Sequence, residues 1–88
     1  MREIRVEDRL KQRTDAAGGM CVKLVILATA GLPDRLVLLP GGRIMFVETK
    51  APKKGATPLQ KYMHGKIRAL GFEVHVVNSL EAVDALFT

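Results

Sequence analysis

Apolar positions change their period several times along this chain, and each change marks an element. Residues 2 to about 17 are polar, punctuated by Ile4, Val6 and Leu10 and free of Gly and Pro. That predicts a helix, closed by "AAGG" (16–19), since Gly favours the position just past a helix C-terminus. "CVKLVILAT" (21–29) is short and rich in β-branched residues, which predicts a strand. "AGLP" reads as a turn, "DRLVLL" (34–39) as a second strand, and "PGG" (40–42) as hairpin punctuation. "RIMFVETK" (43–50) then returns antiparallel as a third strand. After the basic loop "APKKGA", a helix is predicted over 58–70. Thr57 suits the N-cap, Pro58 the first turn, and Gln60 stands three residues after the cap. Leu59, Met63, Ile67 and Leu70 recur at helical spacing as one apolar stripe, and Gly71 ends it. "FEVHVV" (72–77) reads as a fourth strand. Ser79 caps a final short helix carrying Leu80, Val83, Leu86 and Phe87.

The order is therefore α-β-β-β-α-β-α. The helical crossover between the third and fourth strands is long enough to set them parallel. An α/β fold is expected, with a mixed sheet flanked by helices and central strands that read as nearly continuous apolar runs.

Composition narrows the class. Eighty-eight residues predict one domain spanning 1–88. A chain this short buries a modest share of its surface. Its one cysteine, Cys21, excludes an intrachain disulfide, and no Cys/His cluster signals structural zinc. Oligomerisation is then an expected way to cover apolar surface. Hydrophobic content of 48% excludes a disordered chain. Fourteen Lys and Arg against nine Asp and Glu give a net charge of +5, with a pI of about 9.8. That balance favours a polyanionic partner, nucleic acid first. The longest apolar run, "LVILA", is too short to cross a bilayer. The N-terminus carries charges where a signal peptide has an apolar stretch. An intracellular, cytoplasmic protein without a membrane partner is expected.

Chemistry concentrates around the predicted hairpin. Asp34 opens the second strand, while Glu48 and Lys50 close the third. Asp34 and Glu48 are each seven residues from Gly41, so the hairpin brings the two carboxylates together at one edge of the sheet. Glu48 and Lys50 share a face by strand alternation, and Val47 and Thr49 take the other. Neighbouring carboxylates repel unless a cation sits between them. Mg²⁺ suits such a pair, completed by waters and a substrate phosphate. A lysine alongside can orient a water or stabilise charge on phosphate oxygens. Each residue also has a plainer reading. Asp34 after Pro33 fits a turn, and Glu48 with Lys50 fits a surface pair at a strand end. Their joint occurrence in a basic domain shifts the weight towards metal-assisted phosphodiester hydrolysis.

The segment "GLPDRLVLLPGGRIMFVETKAPKKGATPLQKYMHGKIRALGFEVHVV" resembles the core of the virus-type replication-repair nuclease domain. This is the VRR-NUC branch of the PD-(D/E)xK nuclease superfamily, in its stand-alone phage and bacterial form. The combination carries the resemblance: G-x-P-D, strand-turn-strand, E-x-K, a helix with an early Gln, then "LGFEVHVV". It covers Gly31 to about Phe87. It implies a restriction-endonuclease-like fold and an Mg²⁺- or Mn²⁺-dependent DNA endonuclease. A homodimer acting on branched DNA, such as four-way junctions, is further implied, within a bacterial or phage-infected cell. It also implies that Asp34 and Glu48 ligate the metal together with the backbone carbonyl of Thr49. Lys50 would be the catalytic lysine, and Gln60 would lie near the scissile phosphate. An acidic residue on the first helix belongs to the same set: Glu7, one turn before Leu10, is the choice, with Glu3 as competitor.

Lys53, Lys54 and Lys61 are candidates to hold the DNA backbone, beside a reading as solvated surface. Gln60 also completes a capping box with Thr57, a role compatible with phosphate binding at a helix N-terminus. Glu7 also fits a pair with Lys11. His64, off the apolar stripe, and His75, within a strand, are read as non-catalytic. Cys21 reads as a small core residue. The alternative function is a non-catalytic nucleic-acid-binding module on a nuclease-like scaffold. The complete set of Asp34, Glu48 and Lys50 argues against it.

Overall fold

The computed structural model describes residues 4–25 and 29–88. Its elements are α1 (Val6–Ala16), β1 (Met20–Lys23), β2 (Arg35–Leu39), a single 3-10 turn (Pro40–Gly42), β3 (Arg43–Thr49), α2 (Pro58–Ala69), β4 (Glu73–Val77) and α3 (Leu80–Ala85). The four strands form one sheet in the order β1-β2-β3-β4. β1 and β2, and β2 and β3, pair antiparallel, whereas β3 and β4 pair parallel through the α2 crossover. The α-β-β-β-α-β-α order and the mixed sheet expected above are both present.

Alternation along β3 splits its side chains between two environments. Met45 and Val47 are fully buried and join Val6 and Leu10 of α1, Val37 of β2, Val77 of β4 and Val83 of α3 in the core. Removing Leu10, with no exposed surface, to Ala at such a site typically costs about 2–5 kcal/mol. Phe46 and Glu48 take the opposite face, on the side of α2. There Phe46 meets Phe72 edge to face, with ring centroids 6.0 Å apart.

Both long helices end on paired backbone bonds. Gly19 N–H donates to Thr14 O at 3.0 Å, closing α1. At the end of α2, Gly71 has φ 95° and its N–H donates to Arg68 O at 2.9 Å. That left-handed position favours glycine because it lacks a Cβ. At its start, α2 shows the expected capping box: Thr57 accepts from Gln60 N–H, and the Gln60 side chain accepts from Thr57 N–H.

Two expectations shift. The first strand stops at Lys23 rather than running to 29. Its partner β2 begins at Arg35, so the ladder ends where pairing ends, and Val25 is 77% exposed. The rest of that run, 26–28, lies outside the described residues, as do residues 1–3. The stripe on α2 is also only partly covered. Met63 and Ile67 are half-buried, but Leu59 and Leu70 are 50% and 77% exposed. The helix instead turns His64 fully inward.

Candidate active site and metal centre

The hairpin register sets the site. The β2–β3 ladder has Arg35 opposite Val47, and one further step along it puts Asp34 opposite Glu48. Asp34 is held from several directions. Its backbone carbonyl accepts from Leu24 N–H at 2.8 Å. Its Oδ1 accepts from Thr49 N–H at 2.8 Å, and its Oδ2 from the Thr49 hydroxyl at 2.6 Å and from Arg35 Nη1 at 2.8 Å. Thr49 therefore does more than the sequence indicated: its side chain, expected to face away, clamps the carboxylate. Asp34 sits where β2 begins, beyond the regular ladder, so strict alternation does not govern which neighbours it reaches.

The loop leading to Asp34 is anchored on α2. A Cβ added at Gly31 would meet Met63 Cγ at 2.8 Å and Leu59 O at 3.0 Å. Only glycine allows so close an approach, and it ties the Asp34 loop to the helix carrying Gln60 and His64.

Glu48 is 5% exposed. Its Oε2 lies 3.7 Å from Lys50 Nζ, while its Oε1 is buried without a hydrogen bond. Burial, and then the Asp34 charge, push its carboxyl pKa above the usual range, with Lys50 pulling the other way. His64, 1% exposed, places Nε2 4.0 Å from Glu48 Oε1. Burial, then Arg68 and Lys50, lower its pKa, which favours the neutral ring. Sequence reasoning missed this side chain. Its helical position lies next to Met63 of the stripe, which was the available signal.

The donor set fits a hard divalent cation. Glu48 is a buried carboxylate opposed by the Asp34 charge, with Lys50 3.7 Å from its Oε2 and Arg35 as a weaker counter-charge. Among the described residues, no three His, Cys, Asp or Glu side chains gather as a metal cage. An ion here would thus draw on Asp34, Glu48 and a main-chain oxygen such as that of Thr49, the sparse protein coordination that Mg²⁺ accepts.

Glu7 stands at the N-terminus of α1. It lines a cavity of about 580 Å³ together with Lys50, Ala51, Pro52, Val6, Ser79 and Leu80. Arg5 Nη1 donates to it at a long 3.5 Å, and the expected Lys11 partner instead pairs with Asp15 at 2.7 Å. Glu7 and Lys50 thus face one cavity. Glu3, its competitor, lies outside the described residues. Gln60 is half-buried at the start of α2, its Oε1 committed to the cap and its amide N–H groups without a hydrogen-bond partner among the described residues. Lys53, Lys54 and Lys61 are all exposed. The loop bearing the first two is shaped: Lys53 has φ 67°, and Lys54 O accepts from Asn78 Nδ2 at 2.7 Å. His75 instead bonds Glu73, at 3.2 Å.

No family profile matches the sequence. The chain is 43% identical over 79 residues to "Putative nuclease p44" of Acyrthosiphon pisum secondary endosymbiont phage 1. That match covers 90% of this chain and 85% of the phage protein. A solved structure described as a VRR_NUC domain superposes with a TM-score of 0.86 at 40% identity, covering 92% of this chain and 88% of the other. Identity at this level over nearly the whole of each chain, on the same fold, shows that the protein belongs to the VRR-NUC family.

Proposed function

We propose that this protein is an Mg²⁺- or Mn²⁺-dependent endodeoxyribonuclease of one domain. In this reading it acts as a homodimer on branched DNA such as four-way junctions, inside a bacterial or phage-infected cell. The observation that carries the reading is Glu48: a buried, under-neutralised carboxylate between Asp34 and Lys50 at the C-terminal end of a central strand of a VRR-NUC fold.

Asp34 and Glu48, with the Thr49 carbonyl, would hold the cation, and Glu7 lines a cavity with Lys50. When bound, a divalent ion there supplies Lewis acidity to the scissile phosphate and makes a nearby water more acidic. Lys50, rigid at the end of a central strand, orients that water or stabilises charge on the phosphate oxygens. Gln60 would offer its amide N–H groups to the scissile phosphate from the first turn of α2. Lys53, Lys54 and Lys61 bind the DNA backbone. Exposed Leu59, Tyr62, Leu70 and Phe72 supply apolar surface for a second copy, which would bring a second site to a two-fold substrate. No helix among the described residues is long and apolar enough to cross a membrane.

The test is cleavage of labelled four-way junctions, flaps and linear duplexes with Mg²⁺, Mn²⁺ or EDTA. Wild type should cut branched substrates only with metal, whereas Glu48→Ala should bind DNA in EDTA without cutting when metal is added. DNA binding by wild type with every substrate left intact would instead establish the non-catalytic alternative.

A further inference from the structure

Two buried polar atoms face each other without a hydrogen bond: Nε2 of His64 and Oε1 of Glu48. They lie 4.0 Å apart, about 1 Å beyond hydrogen-bond length. Buried polar atoms left unpaired are rare and destabilising. A cation on Oε2 would lessen the charge penalty of Glu48 and still leave Oε1 without a donor. Among the described residues, His64 is a buried side chain within reach that can supply one. The terminal torsions of Glu and His are broad, so a small rotation closes the gap.

We propose that His64 is a positioning residue for Glu48. Its Nε2–H donates to Oε1, locking the carboxylate and turning Oε2, on the Lys50 side, towards the cation. This rests on the metal-dependent reading above for the identity of the ligand. A neutral imidazole has one N–H, so the arrangement demands the Nε2–H tautomer. Lys50 and Arg68, the charges that press on the ring, carry no acceptor and cannot compete for that proton. The Gly31 contact adds a second link: the helix that fixes His64 also abuts the loop bearing Asp34, so one element sets the spacing of both carboxylates. Outer hydrogen bonds of this kind commonly govern metal affinity.

Mn²⁺ binding by calorimetry, on the full chain without DNA, tests this. His64→Leu should keep the wild-type circular dichroism spectrum and bind Mn²⁺ roughly 10- to 100-fold more weakly. His64→Gln, whose amide N–H reaches the place of Nε2, should recover most of the affinity. Equal affinity for wild type and His64→Leu overturns the proposal. Should His64→Leu fail to fold, imidazole ¹⁵N spectra of Mg²⁺-saturated wild type decide. A proton on Nε2 supports the proposal, and a proton on Nδ1 alone overturns it. Wild type with no Mn²⁺ affinity overturns the metal-dependent reading, and this inference with it. Tight wild-type binding with an indifferent His64 overturns the inference alone.

Discussion

A carboxylate that is 5% exposed and has one oxygen unbonded opposes folding when ionised. The folded pKa of Glu48 is raised, chiefly by burial, so the proton is held more tightly in the folded state than in the unfolded one. Protonation therefore stabilises the fold. That contribution is complete below the ordinary value of 4.5 and is lost as pH rises through the elevated folded value. At pH 7 without metal, Glu48→Gln should be more stable than wild type by about 1–3 kcal/mol, the usual size of a buried unsatisfied group. The difference should shrink as pH falls towards 4.5. Added Mn²⁺ should raise the melting temperature of wild type and leave that of Glu48→Gln unchanged, and cleavage should disappear in the variant. Melting curves across pH, with and without Mn²⁺, measure all of this; a Glu48→Gln protein less stable than wild type at pH 7 would count against the account.

At the scale of the element, α2 carries two tasks on one turn. The Thr57–Gln60 capping box stabilises the helix start, and the proposed function also assigns Gln60 a phosphate. The two separate by substitution. Thr57→Ala should cost about 1 kcal/mol of stability and leave DNA affinity near wild type. Gln60→Glu keeps an acceptor for Thr57 N–H but sets a negative charge against phosphate. It should retain most of the stability while DNA affinity and turnover fall. Urea unfolding beside DNA titrations distinguishes the cases, and undiminished affinity in Gln60→Glu would leave the residue a cap alone. The cap itself was legible because Thr57, Pro58 and Gln60 act through local backbone geometry. So was the meeting of Asp34 and Glu48, since a tight turn converts sequence distance into register. The burial of His64 was not, because it depends on Glu48 arriving from another element while the flanking apolar residues Leu59 and Leu70 stay exposed. The Thr49 hydroxyl bond escaped for a related reason: alternation predicts faces inside a ladder, and Asp34 lies just outside one. The early end of β1 reflects the same limit. β-branched residues favour a strand, but a partner must be there to pair with it.

Across the whole molecule, a net charge of +5 and the exposed Lys53, Lys54 and Lys61 predict strongly salt-dependent DNA binding. Each lysine changed to Ala should reduce the slope of log affinity against log salt by about 1 if it neutralises a phosphate, with little change in substrate preference. A slope unchanged in the triple variant would assign these lysines to solvent. The lysine at φ 67° adds a detail: a left-handed non-glycine residue costs about 1–2 kcal/mol, so Lys53→Gly, unlike the three alanine changes, should raise stability.

The parallel pairing of β3 with β4 bears on the order in which the protein assembles. The β2–β3 hairpin closes over a three-residue turn, so Asp34 and Glu48 meet through local contacts. His64 and the second border of β3 arrive only after the α2 crossover brings Glu73–Val77 alongside, a slower, non-local closure. The carboxylate pair is thus expected to form before its surroundings, and a chain still emerging from the ribosome would hold both acids without a finished site. Refolding followed by pulsed hydrogen exchange should protect the β2–β3 amides before those of β4; the reverse order would refute this sequence of events.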